Sequence, residues 1–266
     1  MDFTLNKYRE LLLALRAAGY QFYTFEQYLD MADTLTNTPV VILRHDVDKK
    51  PFHSLAVAEL EAQLGIAASY YFRVVRASFR PAVMHAIAGK GHELGYHYED
   101  MSLCHGDVDA AMHHFIKWLD CLRNFYPVRT ICMHGAPTSR YDSRDLWRKQ
   151  GNKHVTYHYQ NYGIIGEPYF DIDFSQFFYL TDTGRAWDGY KVSVRDKIPE
   201  HQDEWIRRGW VFHSTDDIIR WLQSDAERPR KIMITTHPQR WSNNILEWAT
   251  EYIAQSLKNQ IKKFLA

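Results

Sequence analysis

The alternation of strand-like and helix-like segments constrains the fold of this chain more than any other feature of its sequence. Short apolar runs rich in β-branched and aromatic residues are separated by longer stretches with helical spacing. The predicted strands cover 40–44, 67–74, 93–97, 128–133 and 231–236, and the predicted helices between them include 52–64, 81–88 and 108–125. Such alternation is typical of βα units built around a parallel sheet. We therefore predict an α/β fold.

The segments outside this alternation are predicted mainly from helical spacing. Residues 5–18 and 25–32 have the pattern of two short helices, and residues 244–265 have that of an additional C-terminal helix. The segment 152–194, rich in Tyr, Phe, Gly and Asp, predicts an elaborated region of loops and short strands. No repeat, low-complexity tract or linker divides the chain, so we expect a single domain over residues 1–266.

Composition excludes some classes of partner. The 32 basic residues balance the 32 acidic ones, which does not favour a nucleic-acid partner. The three cysteines lack the paired spacing of a zinc knuckle or redox motif, which fits a reducing compartment. The apolar run 11–15 is flanked by charged residues, and no apolar stretch approaches the roughly 20 residues that span a bilayer. We expect a cytoplasmic protein without an integral membrane segment.

Two aspartates follow the first buried run of the predicted sheet. Residues 40–43 are apolar and β-branched, and Asp46 and Asp48 come directly after them. Side chains at i and i+2 of an extended strand point the same way, and two carboxylates so close resist joint ionisation unless a cation or a shared proton relieves them. A metal site or a catalytic pair is one interpretation. The other is that Asp48 caps the helix 52–64.

Polar residues also follow several other predicted strands. The carboxyl ends of strands in one barrel converge in space, so these residues are expected to meet. They are His92, His97, Glu99, Asp100, His134 and His237. Imidazole and carboxylate groups are ligands for zinc and similar divalent ions, which activate water or polarise a carbonyl. The cluster indicates a metal-dependent hydrolase with zinc as the first choice of ion and cobalt or nickel as alternatives.

A family resemblance follows from these residues. The segment 91–97, Gly-His-Glu-Leu-Gly-Tyr-His, resembles a motif of the polysaccharide deacetylase family, the NodB-homology fold. Segments 45–48 and 234–237 resemble the first and last motifs of that family, and 134–137 occupies the place of its third motif, so the resemblance covers about residues 40–240. It implies a distorted (β/α) barrel of about seven parallel strands. It also implies metal-dependent hydrolysis of an acetamido group on a sugar.

The resemblance assigns roles to matching residues. Asp46 would be the general base, Asp48 and His97 would bind the metal, and His237 would be the general acid that protonates the departing amine. Asp182 is the candidate for the carboxylate that orients His237, by its position alone. A turn-forming role for Asp182, close before a glycine, is at least as common.

One expected ligand is missing from the pattern. The family places a second metal-binding His four residues after the first, but here Met101 stands four residues after His97, and a thioether is a poor zinc ligand. The candidates for the third ligand are Glu99, Asp100 and His134, with Asp100 preferred because i and i+3 share a helical face. His134 stands where the family has an arginine, so it either holds Asp46 or completes the ligand set. His92 is expected to be structural.

Four residues are candidates for substrate binding. Arg240 and Trp241 follow His237 closely, and Arg185 and Trp187 could form an opposite wall. Indole planes stack on sugars and bases, and arginine suits phosphate or carboxylate. For the tryptophans, burial in the core is the more common alternative.

The function expected from these arguments is N-deacetylation of an amino sugar. Because no export signal is seen, the expected substrate is a cytoplasmic nucleotide- or lipid-linked precursor of a surface polysaccharide such as O-antigen. Two alternatives stay open. One is a degenerate barrel that only binds a glycan or partner, and the other is a metal-dependent amidohydrolase acting on another small amide.

Overall fold

The structure is a computed structural model that describes residues 1–148, 157–188, 191, 193 and 195–265, with side chains described as far as residue 260. Most of the segment 152–194, predicted as an elaborated region, is included. Its residues 152–156, 189, 190, 192 and 194 lie outside the described part of the chain.

All the strands of the sheet run parallel. They are β1 (Gln21–Tyr23), β2 (Val40–Val47), β3 (Ser69–Phe72), β4 (Glu93–Tyr98), β5 (Ile131–Met133), β6 (Phe177–Thr181) and β7 (Lys231–Thr236). The order across the sheet is β5-β4-β3-β2-β7-β6, with β1 paired to the beginning of β2. The sheet curls into a half-barrel. The predicted α/β class and parallel sheet are therefore confirmed, with an open half-barrel as the observed form.

Helices surround this sheet. They are α1 (Leu5–Ala17), α2 (Phe25–Met31), α3 (Pro51–Gln63), α4 (Pro81–Ala88), α5 (Asp100–Leu103), α6 (Val108–Arg123), α7 (Pro168–Asp171), α8 (Pro199–Arg207), α9 (Thr215–Gln223) and α10 (Ile245–Leu265). Sequence patterns did not predict β1 or α8, because β1 has only three residues and α8 buries only Trp205. Although α10 runs for 21 residues, neither it nor any other described helix is apolar enough along its length to cross a membrane.

Strand β2 is longer than predicted. The apolar pattern predicted its end at Arg44, but the strand continues to Val47 because residues 44–47 pair with Ser69–Phe72 of β3. Asp46 therefore lies within the sheet, and Asp48 is the first residue after it. Pairing with β3 and β7 fixes the backbone that carries Asp46, so its position depends little on loop conformation.

The two faces of β2 carry different polar residues. His45 points toward α3, where its Nε2 lies 2.7 Å from Glu61, while its Nδ1 lies 2.7 Å from the Thr236 hydroxyl. The buried Glu61 carboxylate also accepts hydrogen bonds of 2.6 Å from the hydroxyls of Tyr8 and Tyr70. This buried network joins β2 to α1, α3, β3 and β7. Arg44 and Asp46 point the other way, into the half-barrel.

Gly95 in β4 allows close contact inside the half-barrel. A Cβ atom at this position would lie 2.3 Å from the ring of Tyr71 and 3.0 Å from the carbonyl oxygen of Thr130. The Tyr71 hydroxyl lies 3.0 Å from that of Thr130, so the ring crosses the strand directly over Gly95. Close packing against the Tyr71 ring thus explains why glycine occupies this position, two residues before His97.

Candidate metal centre

The polar residues at the strand ends surround one small cavity. The cavity, of about 90 Å³, lies at the carboxyl ends of the strands. Asp46 and Asp48 enter it from β2, His97 from β4, His134 from the end of β5 and His237 from the end of β7. The structure therefore brings together the clusters that are scattered over nearly 200 residues of sequence.

Three of these residues form a group suited to a metal ion. Asp48 Oδ1 lies 3.6 Å from His97 Nε2 and 3.5 Å from His134 Nε2, and one ligand atom from each residue lies within 4.8 Å of the others. Asp48 Oδ1 is buried, and none of the residues that the structure describes forms a hydrogen bond with it. A buried carboxylate oxygen without a partner is costly, and a cation at this position would remove that cost.

The hydrogen bonds of the two histidines direct their free nitrogens at this point. His97 Nδ1 lies 2.9 Å from the carbonyl oxygen of Cys132, which can only accept, so this nitrogen carries the proton. Burial, above all, lowers the pKa of His97 to about 4, so its Nε2 keeps a lone pair at neutral pH. His134 Nδ1 lies 2.8 Å from Glu99 Oε2. Burial opposes ionisation of Glu99, but His134 and Arg73 hold its pKa below the usual value, so the carboxylate accepts and His134 Nε2 is free.

The spacing of these atoms fits a tetrahedral ion. Ligands about 2.1 Å from zinc are about 3.4 Å from one another in that geometry. The distances of 3.6 and 3.5 Å from Asp48 Oδ1 to the two Nε2 atoms agree with this estimate. Three protein ligands and an open fourth position are typical of catalytic rather than structural ions. Asp48, His97 and His134 could therefore hold a divalent metal ion and leave a position for water.

Glu99 supports this group rather than binding at its centre. Its carboxylate accepts hydrogen bonds of 2.8 Å from both Nε and Nη2 of Arg73 while it holds His134. A carboxylate that orients a ligand histidine is common around metal ions. The sequence placed Glu99 among the ligand candidates; in the structure both of its oxygens are bonded to residues around the site.

A second group of possible ligands shares His97. Asp46, His97 and Cys132 also offer atoms within 4.8 Å of one another. Burial raises the pKa of the Cys132 thiol well above its usual value, so the thiolate that a metal requires is disfavoured. Asp46 is bonded to Arg44 through both oxygens. We therefore take Asp48, His97 and His134 as the candidate metal centre.

Asp46 is held by an arginine of its own strand. Arg44 Nε donates to Asp46 Oδ1 at 2.9 Å and Arg44 Nη2 donates to Oδ2 at 2.6 Å, and both side chains are almost fully buried. Asp46 Oδ2 also lies 3.6 Å from His97 Nε2, which places it beside the candidate metal centre. Sequence reasoning considered His134 for the role of holding Asp46 and missed Arg44. The i, i+2 alternation of an extended strand was the available signal.

Asp196 places a second carboxylate close to the guanidinium of Arg44. Its Oδ1 lies 4.0 Å from Arg44 Nη2. The carboxylate accepts hydrogen bonds from four hydroxyls, those of Tyr169, Tyr179, Thr181 and Thr183. Burial opposes ionisation, but Arg44 and these donors hold the pKa of Asp196 well below its usual range. No sequence motif pointed to Asp196, because its partners come from distant and irregular segments.

His237 stands on the other side of the cavity and is oriented by Asp182. Its Nδ1 lies 2.6 Å from Asp182 Oδ1, and its backbone N–H donates to Asp182 Oδ2 at 3.0 Å. The Nε2 atom lies 3.9 Å from Asp48 Oδ2. Burial and Arg240 act to lower the pKa of His237, but Asp182 and Asp48 outweigh them, and the pKa is raised. The structure thus places Asp182 where the sequence argument expected an orienting carboxylate.

Asp182 has partners for both oxygens. Arg240 Nη1 donates to Oδ1 at 2.6 Å, and the indole N–H of Trp241 donates to Oδ2 at 2.8 Å. Arg240 Nη1 also lies 2.9 Å from His237 Nδ1, but that nitrogen cannot accept while it donates to the carboxylate. Burial alone would raise the pKa of Asp182; Arg240 and His237 hold it below the usual value. Asp182 is therefore an ionised partner for His237.

The predictions for Asp100 and His92 have different outcomes. Asp100, the preferred third ligand, does not reach the centre; its carboxylate accepts from the Tyr96 hydroxyl at 2.9 and 3.0 Å and contacts His114. The reason is that α5 begins at Asp100 and turns its side chain toward α6. His92 is structural as expected, with Nδ1 accepting from the backbone N–H of Ala68 at 3.1 Å and Nε2 3.0 Å from a backbone carbonyl.

Three of the four predicted substrate-binding residues do not face the cavity. Trp241 is buried and its indole N–H is bonded to Asp182. Trp187 is buried and donates to the Thr215 hydroxyl at 2.9 Å. Arg185 is buried against α10, where its Nη1 donates to the carbonyl oxygen of Trp248. Local sequence showed the residue types but not the direction of their side chains. Arg240 does line the cavity.

A wider groove of about 970 Å³ opens beside the cavity. The two share Asp48, His134, Pro137 and Arg240 in their linings. The groove continues past Tyr141 to one side of α10. A ligand much larger than the small cavity could therefore reach the candidate metal centre.

Comparison with known proteins gives no family assignment, since no protein-family model, curated protein or solved structure matches this chain.

Proposed function

We propose that this chain is a metal-dependent hydrolase that removes an N-acyl group, with acetyl as the simplest case, from an amino sugar. The observation that carries the proposal is the position of Asp46 and His237 on two sides of the group Asp48, His97 and His134. Amide hydrolysis needs a base for water and an acid for the leaving nitrogen, and these two residues supply them.

The residue chemistry fits the three ligands to a divalent ion, with zinc as the first choice. Such an ion would acidify water and polarise the amide carbonyl. Asp46, fixed by Arg44, accepts the proton of the attacking water. His237 donates a proton to the nitrogen as the C–N bond breaks, which gives acetate and a free amine. Asp182 stabilises the imidazolium form of His237, which carries its proton from the start of the reaction until the nitrogen takes it.

The degenerate-barrel alternative loses its main support. It depended on Met101 standing at the expected ligand position. His134 supplies an imidazole nitrogen at 3.5 Å from Asp48, so a third ligand is at hand without residue 101. Met101 is buried in the apolar core instead.

The groove favours a substrate larger than a free sugar. Its volume of about 970 Å³ is at the upper end of the range for small-molecule sites. An amino sugar linked to a nucleotide or lipid, such as a precursor of a surface polysaccharide, would place the acetamido group at the centre and its carrier in the groove. A small unrelated amide would leave most of the groove unused.

The test is release of acetate by the purified protein after loading with zinc, cobalt or nickel. The substrates are acetamido-sugar nucleotides, with formyl and cyclic amides as comparisons. We expect release that falls by about a hundredfold or more in D46N and in H237Q, since each loses a proton-transfer group. D100N is the matched control and should keep its activity. No release with any of the three metals would overturn the proposal, and release only from a small cyclic amide would replace the substrate.

A further inference from the structure

A second cavity lies at the opposite end of the sheet. It has a volume of about 380 Å³ and is lined by Phe177 and Lys231, the first residues of β6 and β7. The candidate metal centre lies at the carboxyl ends of the same strands. This cavity therefore belongs to a different surface, and nothing in the proposed hydrolysis uses it.

Most of the charged side chains that line this cavity are positive. Among the described residues that line it, four are basic (Arg208, Arg228, Arg230 and Lys231) and two are carboxylates. Both carboxylates, Glu204 and Glu227, pair with Arg208, at 2.8 and 3.0 Å. The other three cations thus remain available for a negatively charged ligand.

Lys231 is the buried member of this set. Only 6% of its surface is exposed, and Nζ donates to the Tyr28 hydroxyl at 3.2 Å. The ammonium also lies 5.3 Å from the ring centre of Tyr28 and 5.6 Å from that of Phe177. Within the part of the chain that the structure describes, no carboxylate lies within 4 Å of it. A buried ammonium without a counter-charge is costly, and an anion in the cavity would offset this cost.

The two flanking arginines are held by neutral groups. Arg228 Nη1 donates to the carbonyl oxygens of Leu222 and Ser224 at 2.6 and 3.1 Å. Arg230 Nη1 donates to Asn37 Oδ1 at 3.0 Å. These contacts orient the guanidinium groups without neutralising them, and oriented arginines are suited to phosphate oxygens.

The aromatic walls and the volume of this cavity indicate a ligand larger than a simple inorganic anion. Trp205 and Trp210 line the cavity together with Phe177, which gives it aromatic walls beside the cations. A volume of about 380 Å³ lies within the range of sites that hold whole small molecules. A ligand with a phosphate group and an attached planar group would use both parts of the lining.

We propose that the cavity at the start of β6 and β7 binds a nucleoside phosphate, with the phosphate near Lys231 and Arg228 and the base or sugar against the aromatic wall. The binding is reversible and involves no covalent step. The proposal is independent of the hydrolase function.

The test is calorimetric titration of the full chain with nucleoside 5′-monophosphates and diphosphates and, separately, with inorganic phosphate, each in the presence of a metal chelator. We expect saturable nucleotide binding that K231M and R228M each weaken about tenfold, as for loss of one charged hydrogen bond. K231M keeps an unbranched stem and removes an unpaired charge, so it should fold. R207M is the matched control because Arg207 is exposed, outside the lining and adjacent to Arg208.

Three results would overturn the proposal. One is the absence of saturable nucleotide binding by the folded wild type. Another is nucleotide binding that K231M and R228M leave unchanged, which would place the nucleotide elsewhere, for instance in the groove beside the metal centre. Inorganic phosphate binding as tightly as the nucleotides would reduce the site to a phosphate site and remove the role of the aromatic wall.

Discussion

Arg44 and Asp46 lie two residues apart on one strand, and the guanidinium of Arg44 bonds both carboxylate oxygens of Asp46, at 2.9 and 2.6 Å. The pair is almost completely buried. Because both residues belong to β2, the proposed base and its counter-charge keep their relative position whatever the surrounding loops do. The carboxylate is prepared before any substrate arrives.

This pair predicts a large loss of stability when only one partner is removed. R44M would leave the Asp46 carboxylate buried without its counter-charge, and we expect the free energy of unfolding to fall by about 3–5 kcal/mol. The double variant R44M/D46L should regain part of that loss, because it removes the unpaired carboxylate of Asp46 but leaves Asp196 without the positive charge of Arg44. Urea unfolding of the three proteins measures both effects. Equal stability of R44M and wild type would contradict the importance of the pair.

The metal content of variants should show whether His134 or Asp100 is the third metal ligand. After loading and dialysis, wild type and D100N are expected to retain about one metal ion per chain. D48N, H97Q and H134Q should each lose most of it, because each removes one of the three ligands that the described residues offer at this centre. Elemental analysis of the purified proteins gives the answer. Retention by H134Q together with loss by D100N would return the third-ligand role to Asp100.

Metal binding should also stabilise the fold. Free ion at about 100 times its dissociation constant adds about 2.7 kcal/mol to the stability. For a domain of this size, such a gain raises the melting temperature by about 5–10 °C. Thermal unfolding with added zinc, and then with a chelator, measures the shift. In H134Q the shift should nearly vanish, and a shift of wild-type size there would count against the ligand assignment.

Glu167 predicts a pH dependence of stability. It is fully buried and accepts hydrogen bonds from the backbone N–H groups of Met133 and Tyr169. Burial, which outweighs these bonds and the nearby arginines, raises the pKa of Glu167 to about 7. The folded state then keeps this proton up to a higher pH than the unfolded state, whose pKa is near the ordinary 4.5. The protonated form of Glu167 therefore stabilises the folded state at low pH. This contribution to the free energy of unfolding is lost as the pH rises from about 4.5 to about 7.

The matched variant for this prediction is E167Q, which cannot ionise. The contribution lost across the window is of the order of 3 kcal/mol at most. Denaturant unfolding at several pH values should show that wild type loses more stability than E167Q between pH 5 and pH 7.5. Parallel curves for the two proteins would show that Glu167 does not titrate in that range.

The close packing around Gly95 predicts that a methyl group added at this position disturbs the candidate metal centre. Because a Cβ atom would lie 2.3 Å from the Tyr71 ring, G95A should cost about 2 kcal/mol or more. It should also weaken metal binding through displacement of His97. G135A is the control, since its Cβ would meet nothing nearer than Arg195 Cβ at 4.0 Å. Unfolding and metal titration of both variants give the comparison, and equal effects would contradict the packing argument.

The sequence predicts the parts of this fold that depend on local pattern. Apolar runs located the strands β2, β4 and β7, and helical spacing located α3, α4 and α6. The end of β2 was missed because Arg44 and Asp46 look like a polar strand terminus, yet they are buried together as an ion pair. Pairing with β3, which decides the true end at Val47, is a long-range property.

The site was predictable only where residue type and strand position suffice. Their positions at strand ends placed Asp48, His97 and His237 in one polar cluster, and the family resemblance supplied the separate role of each. The choice between Asp100 and His134 depends on how α5 turns after β4, which the sequence alone does not fix. Trp241 and Trp187 have the residue type of a sugar-binding surface, but burial of their indole rings is decided by distant partners.

The curl of the sheet has a consequence for the chemistry. His134 follows the edge strand β5, and Asp182 follows the opposite edge strand β6, with Asp46 and Asp48 at the end of β2 between them. The curvature of the sheet therefore sets how closely His134, the edge member of the candidate metal centre, approaches the pair formed by Asp182 and His237. Substitutions in the outer helices that flatten the sheet should therefore slow the proposed hydrolysis without contacting any of the residues assigned to it. If the proposed hydrolysis is correct, its rate depends on the shape of the sheet as well as on the groups at its edge.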